Sequence, residues 1–303
     1  MKKTQDIRVR DPYIVAYNGK YYMYSSTDTT EYADGLTLLV YESTDLENWS
    51  KPTVAFNYTP TETTALKGDL WATEVHLYKG KFYAFMSFLN DKETKMRGTY
   101  TAVSEKPEGP FSLLSDKPVT PWDQSCIDGT LFVEDDVPYV VYSRDWPHTF
   151  VESANSYVGS IWAVKLDGDL SRPVGEPFRL FESWDAPLSK EAPNDLGGSK
   201  GRVRYGSDAP FVTRLKSGKL FLTWSPMLDE NYVVLGAVSD SGKIAGPWRH
   251  LDKPVFDENG GHAMFFDALD GRKMMCIHKP ERPPDERMYS CEVVEDSGKL
   301  IIK

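Results

Sequence analysis

The chain has 303 residues, of which 35 are Lys or Arg and 45 are Asp or Glu, giving a formal net charge of −10. That acidic balance excludes nucleic acid as a default partner, since a phosphate-binding surface needs a basic stripe, and no apolar run reaches the length of a membrane helix. Three cysteines, Cys126, Cys276 and Cys291, are too few and too unevenly spaced for a disulfide framework or a zinc site.

The start, Met1-Lys2-Lys3-Thr4, runs straight into polar sequence without the apolar stretch of an export signal. The expected location is therefore cytoplasmic, or secreted or periplasmic if a leader has been removed. Aromatic residues make up 13% of the chain, with 17 Tyr, 14 Phe and 8 Trp. Such residues favour pleated surfaces, and Trp and Tyr also stack on sugar rings.

Helical periodicity is poor throughout, and Gly or Pro interrupts most windows that approach it. Short apolar runs at 21–24, 81–85, 137–142 and 219–224 read as strands. They are separated by turn signals at Asn18-Gly19, Lys79-Gly80, Asp135-Asp136, Ser217-Gly218 and Asp270-Gly271. Five hairpins recur in one frame, at 11–25, 72–86, 128–142, 208–222 and 262–276. Their starts are 61, 56, 80 and 54 residues apart, room for about four strands per unit, the size of a propeller blade. A sandwich or barrel gives no reason for such a frame. The expected architecture is all-β, a five-bladed β-propeller, with residues 1–303 forming a single catalytic domain. The long interval predicts an insertion loop at about 184–202, rich in Pro, Gly, Ser, Lys and Asp. Trp49, Phe111 and Trp248 each close a unit and are expected to pack between blades.

The first residues of the five hairpins are Asp11, Ala72, Asp128, Asp208 and His262. In a propeller the innermost strands surround the axis, so these positions ring one mouth of the channel. A single Asp before Pro, or one capping a turn, needs no function. Three carboxylates in one frame would repel one another and spread their pKa values. That spread divides a general acid from a general base, the pair that hydrolysis of a glycosidic bond requires.

Arg10-Asp11-Pro12-Tyr13-Ile14 followed by Gly19-Lys20-Tyr21-Tyr22 resembles the opening signature of family 43 glycoside hydrolases. Trp71-Ala72-Thr73-Glu74-Val75-His76 is similar to that family's Trp-Ala-Pro-Glu-Val, with Thr73 replacing Pro. Ile127-Asp128-Gly129-Thr130-Leu131-Phe132 and Gly261-His262 match the third-blade and fifth-blade motifs. The resemblance implies that Asp11 is the base that activates water. It makes Asp128 the carboxylate that positions the acid and raises its pKa. The family's acid is a Glu in a Glu-Gly-Pro stretch; here the stretch reads Ser207-Asp208-Ala209-Pro210, which makes Asp208 the acid on a side chain one methylene shorter. Glu74 is expected to support the site, and Trp71, Tyr13 and Trp146 to wall the sugar pocket. By the same resemblance His262 faces the channel and can hold a water-coordinated structural calcium; no cofactor is required for the reaction. His278, on the return strand of the same hairpin, is left undecided by strand alternation.

The resemblance implies an inverting hydrolase that releases arabinose or xylose units from plant-type oligosaccharides or polysaccharides. An exo-acting α-L-arabinofuranosidase or β-xylosidase is the first expectation. The alternatives are an endo-arabinanase, an exo-galactosidase, or a carbohydrate-binding propeller with weak activity or none. Neither a nucleic acid nor a membrane is expected as a partner, and the oligomeric state is not legible.

Overall fold

The computed structural model describes residues 1–189 and 201–303. Helix among them is limited to 3-10 turns such as Trp146–His148 and Ser183–Asp185, and the chain is otherwise built of antiparallel sheets. Five sheets follow one another in sequence, and the fold is a five-bladed β-propeller. The first strands of the blades, from the axis outwards, are Tyr13–Tyr17, Gly68–Tyr78, Cys126–Glu134, Asp208–Arg214 and Gly261–Asp267. Each pairs with a return strand: Lys20–Ser25, Lys81–Leu89, Val137–Arg144, Leu220–Ser225 and Lys273–Lys279. These are the five hairpins of the sequence frame. The turns joining them behave as their residues suggest. Asn18-Gly19, Lys79-Gly80 and Asp135-Asp136 all have positive φ at both positions, the twist that a two-residue hairpin favours.

Return strands are almost wholly buried because they lie mid-sheet with packed blades on both faces. Phe82, Phe85, Phe88, Phe221 and Trp224 are fully enclosed there, so much of the aromatic excess is blade packing. Trp49 and Phe111 are likewise buried, and Trp248 is half-buried against the apolar cluster of blades 3 and 4.

The long interval before blade 4 has two sources. One lies at 145–159, which the sequence reading did not single out. There Phe150–Val151 and Ser156–Val158 form a small sheet with Val203–Tyr205 from the end of the second insertion. The expected loop at 184–202 falls largely outside the described residues; its described start places Trp184 edge-on to Tyr205.

Among the described residues no strand is shared between the first and last blades. Lys2–Lys3 pairs instead with Asn48–Trp49 on the outer edge of blade 1. The ring closes through side chains and one backbone bond: Arg8 to Glu286 at 3.1 Å, Arg10 to Glu281 at 2.6 Å, and the Val9 N–H to the Glu286 carbonyl at 3.2 Å.

Candidate active site

Every first strand carries a left-handed residue at its axial start. These are Asp11 (φ 51°), Ala72 (45°), Asp128 (56°), Ala209 (54°) and His262 (58°). In blades 2 to 5 the pairing register slips at this point, between Trp71 and Glu74, Ile127 and Thr130, Asp208 and Phe211, and Gly261 and Met264. Such bulges re-aim side chains, and here they recur at one mouth of the propeller. The fourth position corrects the sequence frame. Ala209, not Asp208, takes the repeated conformation, and Asp208 pairs with Ser225 as Trp71 pairs with Ser87 and Ile127 with Ser143. Asp208 therefore enters the site from one residue earlier than Asp11 and Asp128 do. Hydrophobic alternation could not distinguish the two registers, because a bulge adds a residue without changing the pattern on either side.

A cleft of about 670 Å³ opens at this mouth, lined by Asp11, Asp128 and Asp208 together with Trp71, His262 and Tyr232. That volume is within the range of small-ligand sites. Asp11 Oδ1 lies 3.1 Å from His262 Nδ1 and 3.1 Å from His278 Nδ1, and Oδ2 lies 3.9 Å from Arg10. Burial alone would raise its carboxyl, but His262, His278 and Arg10 together hold it well below the ordinary carboxylate range. Asp128 behaves oppositely. Burial, reinforced by the charge of Asp11, pushes it up to about 6 against the pull of His262 and of the Ala209 N–H. The Ala209 N–H donates to Asp128 Oδ2 at 2.9 Å. Burial works against the charged form of His262, yet Asp11 raises that imidazole to about 9.

His262, to which the resemblance gives a water-coordinated calcium, lines the cleft. Its Nδ1 is committed to Asp11 at 3.1 Å, and no group of three or more His, Cys, Asp or Glu side chains converges on a metal position among the described residues, so a calcium here would draw most of its oxygen ligands from water.

Trp71 is 42% exposed and lines the cleft. The guanidinium of Arg97 lies 3.7 Å over its ring and is held in turn by Asp69 at 2.8 Å. One indole face is thus covered. The other expected residues do not line the cleft. Glu74 is buried and bonded to His76 at 2.9 Å, and the Tyr13 hydroxyl meets the other nitrogen of the same ring at 3.2 Å. Trp146 belongs to the insertion, beneath the Arg204 guanidinium at 4.7 Å and edge-on to Tyr157.

Several residues of the site were not legible in the sequence. Tyr232 reaches the cleft from a short hairpin in blade 4, and its ring packs so closely on Gly261 that a Cβ there would fall 2.5 Å from Cδ1. Burial, then the charges of Asp208, Glu281, Asp11 and Asp128, keep its phenol protonated, so it remains a donor. Arg8, Asp28 and Glu286 also line the cleft. They come from the blade 1–blade 5 junction, which no local pattern predicts.

Comparisons with known proteins agree with this geometry. The profile of Glycosyl hydrolases family 43 matches residues 5–293. The chain is 26% identical, over 85% of its length and 70% of the other's, to an extracellular exo-α-(1→5)-L-arabinofuranosidase of Cellvibrio japonicus (strain Ueda107). It is 23% identical to an α-L-arabinofuranosidase of Humicola insolens, over 70% of this chain and 42% of that one. Among solved structures, an endo-arabinase from Bacteroides thetaiotaomicron VPI-5482 superposes with a TM-score of 0.84 at 31% identity, covering 98% of both chains. The chain belongs to family 43 of the glycoside hydrolases.

Proposed function

We propose that the protein hydrolyses glycosidic bonds of arabinose-containing glycans with inversion at the anomeric carbon. The observation that carries this reading is the opposed state of two carboxyls in one cleft, Asp11 held ionised and Asp128 raised to about 6. Asp11 is the base. With Oδ1 occupied by two imidazoles, Oδ2 takes the proton of a water as that water attacks the anomeric carbon. Asp208 is the acid and delivers its proton to the departing glycosidic oxygen. Asp128 holds the chain that presents Asp208, through the Ala209 N–H, and adds negative charge to the same space. The free face of Trp71 stacks on the sugar while Arg97 fixes the other. The family membership and the two arabinose-directed relatives support the choice of sugar.

Release of terminal arabinose is the activity named for the Cellvibrio relative. Internal cutting, the activity named for the Bacteroides structure, is the second reading. It is favoured by a further depression of about 460 Å³ that shares Arg8 and Asp28 with the cleft and carries Tyr32. A glycan crossing that shared wall would run past the reacting bond on one side.

Aryl α-L-arabinofuranoside, aryl β-xyloside and linear arabinan test both points. The expected result is hydrolysis of the arabinofuranoside, loss of activity in Asp11→Ala, and arabinose as the first product from arabinan. Early appearance of oligosaccharides instead establishes the internal mode. Sugar binding with equal inactivity of wild type and Asp11→Ala on every substrate would replace the enzyme reading with a carbohydrate-binding one.

A further inference from the structure

In blades 2 to 5 the return strand touches the start of the next blade. Ser87 Oγ accepts the Asp128 N–H at 2.9 Å, Ser225 Oγ accepts the His262 N–H at 2.9 Å, and Ser143 Oγ meets Ser207 Oγ at 2.7 Å. These serines occupy one register position, opposite Trp71, Asp208 and Ile127 respectively. In blade 5 the same position, opposite Gly261, is His278. It lies against the next blade's amide, with Nδ1 3.2 Å from the Asp11 nitrogen. Against the effect of burial, however, Asp11 and Glu281 raise the imidazole, and as a cation its Nδ1–H donates to the Asp11 carboxylate at 3.1 Å in place of accepting the amide. A serine would suffice for the structural latch, as it does in three other blades. The departure from the repeat falls at the blade junction that carries Asp11.

His278 is fully buried and stacked on Tyr232, with ring centroids 5.5 Å apart and planes 20° apart. Its Nε2 is bonded to Glu281 Oε2, Glu281 Oε1 accepts from Arg10 Nη2 at 2.6 Å, and Arg10 Nε returns to Asp11 Oδ2 at 3.9 Å. Asp11, His278, Glu281 and Arg10 thus form a closed ring that joins the first blade to the last. Arg10 is further anchored by Glu286 at 3.7 Å, which is itself buried and paired with Arg8. A ring of alternating charge, hydrogen-bonded from Asp11 through His278 and Glu281 to Arg10 and closed by the 3.9 Å ion contact of Arg10 with Asp11, restricts the torsions of its members. Partner groups of this kind orient an imidazole and the group it serves.

The geometry points to His278 and Glu281 as positioning residues for the base, holding Asp11 Oδ1 so that Oδ2 alone faces the reacting water. The inference takes from the preceding section that Asp11 is the base. The charged and titratable groups around Asp11 are His262, His278 and Arg10 in contact, with Asp128 and Tyr232 acting through their fields. Opening the ring leaves His262 and removes one oriented donor, so Asp11 turns more freely and gains proton affinity.

Glu281→Gln and His278→Asn test the inference, with thermal melts selecting the variants that fold. On an aryl arabinofuranoside, kcat is expected to fall by about tenfold or more while KM stays within about twofold, and the acid limb of the kcat/KM profile moves to higher pH. Folded variants with wild-type kcat and an unmoved acid limb, or with raised KM and unchanged kcat, overturn it. A second readout needs no substrate. In protein labelled with ¹³C at aspartate carboxyls, with the Asp11 signal identified by its loss in Asp11→Asn, the Asp11 midpoint is expected to rise in both variants. An unmoved midpoint overturns the inference even if the protein proves to act on a different glycan. A wild type inactive on every glycoside defeats the reading of Asp11 as base, while the titration still decides whether the ring governs its carboxyl.

Discussion

Asp128 in blade 3 accepts the backbone N–H of Ala209 in blade 4 at 2.9 Å, so one carboxylate of the cleft holds the chain beside another, Asp208. Two functions are combined in this bond, charge and placement, and they can be separated. Asp128→Asn keeps an acceptor and removes the charge; Asp128→Ala removes both. With an aryl arabinofuranoside we expect kcat to fall about 10²-fold in the Asn variant and roughly tenfold further in the Ala variant, in which the Ala209 N–H is left buried without a partner. Equal rates in the two variants would show that the bond to Ala209 does not place the acid.

Asp208→Asn tests the assignment of the acid by varying the leaving group. A dinitrophenyl glycoside departs without protonation, so the variant should retain most activity on it while losing about 10²- to 10⁴-fold on an arabino-oligosaccharide. Asp11→Asn should lose activity on both, because the attacking water still needs a base. An Asp208→Asn enzyme that is equally impaired on both substrates would transfer the role of acid to another group, with Asp128, raised to about 6, the first candidate.

The Asp11–His262 pair predicts the shape of stability against pH. Asp11 is lowered, so its contribution is present above the ordinary carboxylate pKa of 3.8 and lost as pH falls through its folded value. His262 is raised to about 9, so its contribution is full below the ordinary 6.5 and lost as pH rises towards 9. The pair therefore contributes most between about pH 4 and 6.5. Melting temperatures of wild type should decline between pH 6.5 and 9, and His262→Gln should start lower at pH 6 and lose much of that slope. A parallel decline in both proteins would show that His262 does not titrate in this window.

Trp71 and Arg97 predict a binding effect rather than a chemical one. Trp71→Ala removes the platform, and Arg97→Lys removes the planar group that covers its inner face. KM for an arabino-oligosaccharide should rise about tenfold in the first and several-fold in the second, with kcat changed by less than about threefold, a loss of roughly 1 kcal/mol of uniform binding. Unchanged KM in Trp71→Ala would place the sugar elsewhere in the cleft.

The fold was legible because the five hairpins repeat their strand pattern and turn residues, Asn18-Gly19 and Lys79-Gly80 among them. Asp11, Asp128 and Asp208 were legible as a group because Pro, Gly or Ala follows each at the head of a hairpin. The one-residue offset of Asp208 was not, since a bulge leaves apolar alternation intact on either side. Tyr13, Glu74 and Trp146 were expected at the site, Glu74 as its support by the resemblance and the other two, by nearness along the strand or loop, as walls of the pocket. Strand direction carries the first two into the buried interior around His76, and the insertion draws Trp146 towards Arg204. Tyr232, Glu281 and Glu286 reach the site only through the meeting of blades 4, 5 and 1, a contact between distant parts of the chain that no window of sequence contains.

The anomeric configuration of the first product tests the account most directly, because it reports whether a water sits between the base and the sugar. Proton NMR during the first minutes of hydrolysis of an α-L-arabinofuranosyl oligosaccharide, with Asp11→Asn as the blank, should show β-arabinofuranose appearing before the α form. Initial accumulation of the α form, or hydrolysis by Asp11→Asn at the wild-type rate, would contradict it.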